Sequence, residues 1–264
     1  HYTSWRQEHP VISEPLIEPK FPWDADVHAH GTILFDELDQ LYKLWYVSTP
    51  ATAFEPDTNC EYGRALTYAF SKDGINWIRP KLDLVTYNGE PTNILLQLQN
   101  GKFVQYASVI IDSNRNKTYP YEMFILAQEE PLDFFNITKQ NCLGTNNRCL
   151  YRYFSKDGIK WIPMEVVNGF PESSTDGLYM YKNMSNTPIP LYYAYVKLNL
   201  PASPGGFTPY DIGAGKQRII ALTTSNDGSI WTSPKIVATA DWRDSLGDQL
   251  VELTTNPIEN KPSQ

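Results

Sequence analysis

The sequence predicts an all-β protein, and more specifically a β-propeller of four-stranded blades. Its 264 residues include 17 Tyr, 11 Phe and 7 Trp, which favour strands, and 20 Pro with 15 Gly, which interrupt long helices. One short motif occurs three times, as SKDGINW (71–77), SKDGIKW (155–161) and SNDGSIW (225–231). Successive copies begin 84 and 70 residues apart, which is room for one four-stranded unit with its loops. Repetition of such units is typical of propellers.

Each copy of the motif is predicted to be a tight turn between two strands. The first copy follows the strand-like segment RALTYA and precedes NWIRP. Asp-Gly at a two-residue connection favours a hairpin, because Gly tolerates a positive φ and the Asp side chain can bond to the backbone of the turn. The Trp that ends the motif is then expected to attach the outer strand to its neighbours.

The remaining segments fill three quartets in order. The first unit comprises GTILFD (31–36), LYKLWYVS (41–48), RALTYAFS (64–71) and NWIRP (76–80). The second comprises YASVIID (106–112), YEMFILA (121–127), CLYRYFS (149–155) and KWIPMEVV (160–167). The third comprises GLYMYKN (177–183), PLYYAYVKL (190–198), QRIIALTTS (217–225) and SIWTSPKIV (229–237). We therefore expect one domain over residues 1–264, with QLVELTT (249–255) beginning a fourth blade that the chain does not complete.

Charge and hydropathy exclude several classes of partner. The formal net charge is -8 and the sequence pI is about 5.0, and no basic run is present, so nucleic-acid binding is not predicted. No stretch approaches the roughly 18 consecutive apolar residues of a membrane span. A neutral or modestly charged partner fits this composition better.

The three cysteines do not form a paired zinc motif. Cys142 and Cys149 bracket the loop NCLGTNNRC, which is short enough for a local disulfide in an oxidising compartment, and two unpaired thiols are the alternative. Three Asn-x-Ser/Thr sequons are compatible with export, namely Asn116, Asn136 and Asn183. A periplasmic or secreted location is therefore expected.

A family resemblance rests on four segments: WDADVHAHGTILFDELDQLYKLWY (23–46), YAFSKDGINWIRPKLDLVTYNGEPTNIL (68–95), YASVIID (106–112) and GDQLVELTTNPIE (247–259). With them the chain resembles the five-bladed β-propeller glycoside hydrolases over nearly all of residues 20–258. It is most similar to uncharacterised bacterial members related to families 43, 32 and 137. The resemblance implies five blades and a pocket on the propeller axis, with carboxylates from the entry loops and first strands of successive blades. It implies no cofactor, although a structural calcium ion is compatible with the group.

Glycoside hydrolysis generally uses one carboxylic acid and one carboxylate about 5 to 9.5 Å apart, so acids ahead of each inner strand are the candidates. Asp24 and Asp26 precede GTILFD, and the resemblance places a base or nucleophile there. Asp26 is preferred because it is nearer the strand. The alternative for Asp26 is a solvated loop residue or a turn cap.

Aromatic and imidazole side chains surround Asp26 in the sequence. Trp23, His28 and His30 lie within a few residues of it, and Asp26, His28 and His30 alternate onto one side of an extended chain. Binding of sugar hydroxyls or tuning of a pKa is the first interpretation of the two histidines, packing the second and metal binding the third. No metal site is predicted.

The third unit offers Glu172 and Asp176 before its inner strand. The resemblance implies a general-acid Glu from this blade, which fits Glu172 by residue type, whereas Asp176 is nearer the strand. The alternative places Asp176 in an Asp-Gly turn and leaves Glu172 solvated. In the fourth unit the polar candidates are Asp248, a further catalytic candidate, with Arg243, Gln249 and Glu252 as substrate-binding candidates.

The second unit departs from the family 43 pattern, which has an acid near this inner strand. The strand begins with Gln105 and Ser108, and its only acid, Asp112, comes at its end, away from the predicted pocket. Asp112 is therefore predicted to be a turn residue, with Glu90 as a substitute acid. The substrate of family 43 cannot be transferred on this pattern.

Two functions follow from these residues. The first is an exported glycoside hydrolase that cleaves a terminal sugar from a complex polysaccharide or oligosaccharide. The second is a propeller that binds carbohydrate without catalysis. An enzyme requires two acids from different blades facing one cavity, whereas a binding module would present aromatic and amide side chains there.

Overall fold

The computed structural model describes residues 13–51, 63–98, 102–112, 118–128, 148–167, 170, 174–183, 191–201 and 216–239. These residues form fifteen β-strands and one short 3-10 helix at Pro22–Asp24, with no α-helix among them. The predicted all-β class is confirmed. Within the described part of the chain, no helix is long and apolar enough to cross a membrane.

Twelve of the strands form three four-stranded antiparallel quartets. The first is β1 (Asp26–Asp36), β2 (Leu41–Thr49), β3 (Ala65–Ser71) and β4 (Trp77–Ile78). A hairpin of β5 (Leu82–Tyr87) and β6 (Glu90–Thr92) follows, and then β7 (Ile94–Leu96), which also pairs with β3. The second quartet is β8 (Val104–Ile111), β9 (Tyr121–Gln128), β10 (Arg148–Ser155) and β11 (Trp161–Val166). The third is β12 (Ser174–Lys182), β13 (Tyr192–Pro201), β14 (Lys216–Ser225) and β15 (Lys235–Thr239).

We call these quartets blades 1, 2 and 3, and they match the three units predicted from the sequence. Several boundaries differ, and β1 and β12 begin five and three residues earlier than predicted, at Asp26 and Ser174. The outer strand of blade 1 has only two residues, and that of blade 3 begins at Lys235, because Trp231 makes only an isolated bridge to Ser225. The hairpin β5–β6 was not predicted. The expected fourth unit at 249–255 lies outside the described residues.

The repeated motif forms the same turn three times, with side chains replacing backbone partners. In the first copy Ser71 Oγ accepts the N–H of Gly74 at 2.9 Å, and Asp73 Oδ1 accepts the N–H groups of Ile75 and Asn76 at 2.9 and 2.7 Å. The Gly has a positive φ of 75°, and its two counterparts have 77° and 82°. Ser71 pairs with Trp77, so the loop has five residues and not the predicted two.

Blade 2 lies between the other two blades and is buried on both faces. Alternate residues of β9 point to opposite sides, so Met123 and Ile125 pack with blade 1, and Phe124 and Leu126 pack with blade 3. This explains why YEMFILA reads as a continuous apolar run and does not alternate.

Two hydroxyl groups fix the order of the inner strands β1, β8 and β12. Thr32 Oγ1 donates to Ala107 O at 3.3 Å and accepts the N–H of Val109 at 2.9 Å. Ser108 Oγ bridges in the same way from β8 to Met180 O and Met180 N of β12, at 3.3 and 2.9 Å. The starts of the three inner strands are thereby held side by side, and the candidate site is built there.

Candidate functional site

Each inner strand carries an irregularity in its first half. The register shifts between His28 and Thr32 in β1, between Val104 and Tyr106 in β8, and between Ser174 and Leu178 in β12. Bulges of this kind are common next to active sites, because they redirect a side chain without ending the strand. Within the three shifts lie three residues singled out from the sequence, namely His30, Gln105 and Asp176.

The bulges of β1 and β12 correspond to one another. In both, the shift spans three residues that end in a glycine, Gly31 and Gly177. A Cβ on Gly31 would lie 1.8 Å from the carbonyl oxygen of Trp45, so no other residue fits there. The residue before each glycine is His30 in blade 1 and Asp176 in blade 3, and these two residues occupy equivalent backbone positions.

Asp26 is the first residue of β1 and is paired with a histidine. His28 Nε2 lies 2.9 Å from Asp26 Oδ2, and Thr49 Oγ1 lies 3.3 Å from the same nitrogen. The Asp26 side chain is 44% exposed, so its carboxylate reaches solvent while one of its oxygens contacts His28. The sequence placed Asp26 in the loop before the strand at 31–36, whereas β1 begins at Asp26 itself; the role of Asp26 stays a prediction.

The environment of His28 keeps its imidazole neutral at pH 7. Burial lowers the pKa of His28; the Asp26 carboxylate opposes that effect, while the charge of Arg64 and the proximity of His30 add to it. Neutral imidazole carries one N–H, and the short contact to Asp26 is satisfied when that proton is on Nε2. His28 then acts as a hydrogen-bond donor to Asp26 and not as a counter-charge.

A series of rings crosses from blade 1 to blade 3 behind this pair. The ring centroids of His28 and His30 are 5.3 Å apart, those of His30 and Tyr106 are 5.1 Å apart, and Tyr106 meets Tyr179 edge-on at 5.2 Å. Tyr106 is fully buried, and its hydroxyl has no hydrogen-bond partner among the described residues. The rings connect the three inner strands through packing around the buried Tyr106.

Neither tyrosine was singled out from the sequence. The alternation of YASVIID places Tyr106 on the same face of β8 as Ser108, which is a signal that it faces a neighbouring blade. Nothing in the sequence pairs Tyr106 with Tyr179, because they lie on different blades and meet through packing.

Trp23 is held by the fold on most of its surface. It is 9% exposed, its indole N–H donates to Asn93 Oδ1 at 2.8 Å, and it stacks on Phe21 with centroids 4.6 Å apart. Asn93 is itself buried and also donates to the Tyr46 hydroxyl at 2.9 Å. The predicted contact of Trp23 with substrate stays a prediction, and its indole nitrogen is already used.

Asp24 is a structural residue. It is fully buried, its Oδ2 lies 2.5 Å from Arg79 Nη1, and its Oδ1 accepts the N–H groups of Lys20 and Phe21. These contacts tie the entry segment to blade 1. Of the two acids in that segment, Asp26 is the one with access to solvent.

The acids considered for blade 2 lie elsewhere. Asp112 follows the far end of β8, is 7% exposed and lies 3.4 Å from Lys182 Nζ, so it is a buried ion-pair residue where the sequence predicted a turn residue. Glu90 is exposed and begins β6, in the hairpin outside the three quartets. Gln105 is buried at the bulge of β8.

The remaining candidates fall mostly outside the described residues. Five are not described, namely Glu172, Arg243, Asp248, Gln249 and Glu252. Asp176 is described through its backbone in β12. In the part of the chain that is described, no group of three His, Cys, Asp or Glu residues could hold a metal ion.

Cys149, at the start of β10, is disulfide-bonded. Of the two alternatives weighed from the sequence, unpaired thiols are therefore wrong for this residue. Cys142, its expected partner, lies outside the described residues.

No protein-family model and no curated protein sequence matches the chain. Three solved structures of similar fold are an N-acetylgalactosamine deacetylase from F. plautii in complex with blood group B trisaccharide, a GH62 hydrolase in complex with xylotriose, and a glycosyl hydrolase from Bacteroides ovatus. Their identities are 12%, 12% and 14%, with TM-scores of 0.43, 0.43 and 0.41. The matches cover 78%, 76% and 83% of this chain and 51%, 50% and 56% of those proteins.

The chain thus spans about half the length of these proteins. Two of the three are glycoside hydrolases by name, the class that the sequence resembles. The third is a deacetylase. Since all three TM-scores lie below 0.5, the argument for a function rests on the residues of this chain.

Proposed function

We propose that this protein is a glycoside hydrolase, with Asp26 as its general base or nucleophile. The observation that supports the proposal is the position of Asp26: a half-exposed carboxylate at the start of an inner strand, at the end of the blades where all three inner strands bulge. Carboxylates delivered from the starts of inner strands are what the resemblance to propeller glycoside hydrolases implies.

The pairing with His28 suits that role. Because the imidazole is neutral, it supports the carboxylate through one hydrogen bond and leaves the negative charge of Asp26 uncompensated. A base or nucleophile that stabilises an oxocarbenium-like transition state needs that charge. The side chain also needs access to the sugar, and its exposure provides it.

The partner acid is proposed to come from the third or fourth unit. Asp176 occupies the backbone position of blade 3 that His30 occupies in blade 1, which favours it by geometry, and Glu172 and Asp248 are the other candidates. In this mechanism the acid protonates the leaving oxygen, while Asp26 either attacks the anomeric carbon or activates a water molecule.

The substrate is proposed to be a terminal sugar of a complex polysaccharide or oligosaccharide. The rings of His30 and Tyr179, which pack on the buried ring of Tyr106, support this, because aromatic rings near the acid provide an apolar base for a sugar. The disulfide at Cys149 is consistent with a periplasmic or secreted location, because such bonds persist in oxidising compartments.

A second candidate function is carbohydrate binding without catalysis. It is compatible with blade 2, whose bulge carries the buried residues Gln105 and Tyr106 and no carboxylate. An amide and an aromatic ring are the groups expected of a binding module.

Hydrolysis of a panel of plant and algal oligosaccharides by the full chain tests the proposal. The Asp26→Asn variant is expected to lose about 10²- to 10⁴-fold in kcat, the size of a general acid–base contribution. Asp83→Asn, a control on an exposed residue of β5, is expected to match the wild-type rate. Wild-type rates in Asp26→Asn would remove Asp26 from the mechanism.

Three further variants identify the acid, namely Glu172→Gln, Asp176→Asn and Asp248→Asn. The variant whose loss is largest for substrates with poor leaving groups, and smallest for activated aryl glycosides, has lost the acid, since activated leaving groups need little protonation. Binding of oligosaccharides without release of sugar by the wild type would favour the second candidate function.

A further inference from the structure

A carboxylate, a hydroxyl and a guanidinium form a row at the end of blade 1. Asp26 of β1 pairs with Thr49 of β2, and Ser48 pairs with Ala65 of β3, so Arg64, which directly precedes Ala65, continues the row beyond Thr49. Directly opposed residues of antiparallel strands share a face. Arg64 therefore lies on the same side of the blade as Asp26, and its charge contributes to the lowered pKa of His28.

The guanidinium of Arg64 has no acceptor in the described part of the chain. It lies over the ring of Phe103, 5.8 Å from the centroid, and makes no ion pair or hydrogen bond there. The two other arginines with described side chains differ in this respect. Arg79 contacts Asp24, and Arg152 contacts two glutamates.

The position of Arg64 makes the missing acceptor meaningful. The residue is half-buried, and its backbone carbonyl accepts the N–H of Val104 at 3.0 Å, which fixes it against the start of β8. Arginine stays charged at all physiological pH values, and its planar fork of donors matches the oxygens of a carboxylate or sulfate. Both acids of the entry segment already have donors, Asp26 from His28 and Asp24 from Arg79.

We propose that Arg64 forms an anion-binding subsite next to Asp26, and that the sugar bound there carries a carboxylate or a sulfate group. This proposal rests on the proposed function, since it names the substrate class of the same site. The anionic group would lie against the N–H groups of the Arg64 guanidinium, which the ring of Phe103 supports from its face, with the rest of the sugar toward Asp26. The protein as a whole is acidic, so the subsite gives local attraction where the overall charge gives none.

Calorimetric titration with two matched pairs of probes tests the proposal. One pair is an oligogalacturonide and its methyl ester, which differ in the carboxylate charge; the other is a κ-carrageenan oligosaccharide and its desulfated form. The full wild-type chain is expected to bind the charged member of one pair about ten- to a hundredfold more tightly, as for a hydrogen bond between charged groups. The pair that shows the preference identifies the anion.

Variants of Arg64 test whether this residue causes the preference for the charged probe. Arg64→Gln is expected to abolish it, and Arg64→Lys to retain only part of it, because lysine keeps the charge and loses the fork. Lys81→Gln, which removes an exposed cation, is the matched control and should leave the preference unchanged. Circular dichroism and thermal unfolding verify that each variant is folded.

The outcomes separate this proposal from the proposed function. Equal binding within both pairs, a preference that persists in Arg64→Gln, or no binding of either charged probe at millimolar concentration would overturn the anion subsite. A preference that depends on Arg64 and survives in Asp26→Asn supports the subsite even if the wild type hydrolyses nothing. Hydrolysis of neutral glycosides without any preference would support the enzyme and reject the subsite.

Discussion

The junction between blades 1 and 2 and the junction between blades 2 and 3 are built around the same turn glycine with different chemistry: the second strand of blade 1 supplies the contact in one, and the third strand of blade 2 supplies it in the other. In each, the glycine of the later blade's turn receives a side chain from the earlier blade. Gly158 receives Trp45, whose indole N–H donates to the Gly158 carbonyl at 2.7 Å. Gly228 receives the guanidinium of Arg152. A neutral ring thus contacts the turn glycine at one junction, and a charged group contacts it at the other.

A tyrosine at the start of the second strand repeats in both junctions, and the charges around it are inverted. Tyr121 of blade 2 contacts Lys43 and Asp36 of blade 1. Tyr192 of blade 3 contacts Glu122 and Arg152 of blade 2. Lys43 and Glu122 occupy equivalent register positions, each opposite the Phe that precedes the turn Ser.

The difference between the junctions also accounts for an unpaired group. In the first and third turns the motif Trp donates to its own glycine, from Trp77 to Gly74 at 3.1 Å and from Trp231 to Gly228 at 2.9 Å. In the second turn Trp45 takes that carbonyl, and the N–H of Trp161 has no partner in the described residues. The motif specifies the turn, and the neighbouring blade decides how the turn is used.

The largest expected effect comes from removing the charged contact at the junction between blades 2 and 3. Arg152→Met leaves Glu122, which is 4% exposed, without its main partner, and is expected to lower the free energy of unfolding by about 3 to 5 kcal/mol. Urea denaturation measures this loss. The comparison variant Lys43→Met should cost less, because Asp36 keeps Tyr121 and the N–H groups of Leu38 and Asp39.

A double-mutant cycle separates the pair from its surroundings. Glu122→Met combined with Arg152→Met should cost less than the sum of the single changes, because neither charge is then left alone. Equal losses for Arg152→Met and Lys43→Met would show that the two junctions respond alike, and strict additivity in the cycle would show that Glu122 and Arg152 are not coupled.

Replacement of the turn glycines by alanine sharpens the comparison. All three glycines have φ between 75° and 82°, so each variant pays the same left-handed strain of about 1 to 2 kcal/mol. A Cβ on Gly158 would lie 2.9 Å from the Trp45 ring, whereas one on Gly74 would lie 3.6 Å from Tyr42, an ordinary contact. We expect Gly158→Ala to cost about 3 kcal/mol and Gly74→Ala about 1 kcal/mol.

Gly228→Ala should fall between these two values. Its close neighbour, at 2.9 Å, is the end of the Arg152 side chain, which can move farther than a buried indole. Thermal or urea unfolding of the three variants gives the order directly. A loss for Gly74→Ala as large as that for Gly158→Ala would mean that backbone strain alone sets the cost.

Much of the fold could be predicted from the sequence because its signals are local. The Ser-x-Asp-Gly turn is encoded within seven residues, and the aromatic segments on either side mark the strands. The junctions could not be predicted, because Trp45 and Gly158 are 113 residues apart and meet only after the blades stack. Hairpin β5–β6 was missed because its short strands give little alternation.

The candidate site was predictable to the extent that it lies on one strand. Asp26, His28 and His30 follow one another along β1, so their proximity can be read from the sequence. Tyr106 and Arg64 could not be predicted in this way. Tyr106 lies on β8 and Arg64 directly precedes β3, so both approach β1 only in the folded protein. Asp36 was overlooked for a different reason. In the sequence it looks like an ordinary residue at the end of a strand, whereas in the structure it is fully buried between two blades.

The smallest expected effect concerns Asp36 and the first junction at low pH. Burial raises the pKa of Asp36, but hydrogen bonds from Tyr121 and Lys43, with the charge of Lys43, hold it well below its ordinary value. A carboxyl group whose pKa is lower in the folded state stabilises the protein above its unfolded pKa of about 3.9, and that stabilisation is lost as the pH falls toward the folded pKa. The free energy of unfolding should therefore fall on acidification from about pH 5, with about 1 kcal/mol of the loss between pH 5 and 3 due to Asp36.

Asp36→Asn has no carboxyl group at this position, so its unfolding free energy should fall by less than that of the wild type over the same pH range. Urea unfolding at pH 7, 5, 4 and 3 measures the two slopes, with Asp83→Asn as the exposed control. If Asp36→Asn and the wild type lose the same free energy between pH 5 and 3, the carboxylate of Asp36 does not contribute to the acid response. Equal slopes would mean that the first junction depends mainly on the neutral contact of Trp45 with Gly158, whereas the second junction depends on charged groups.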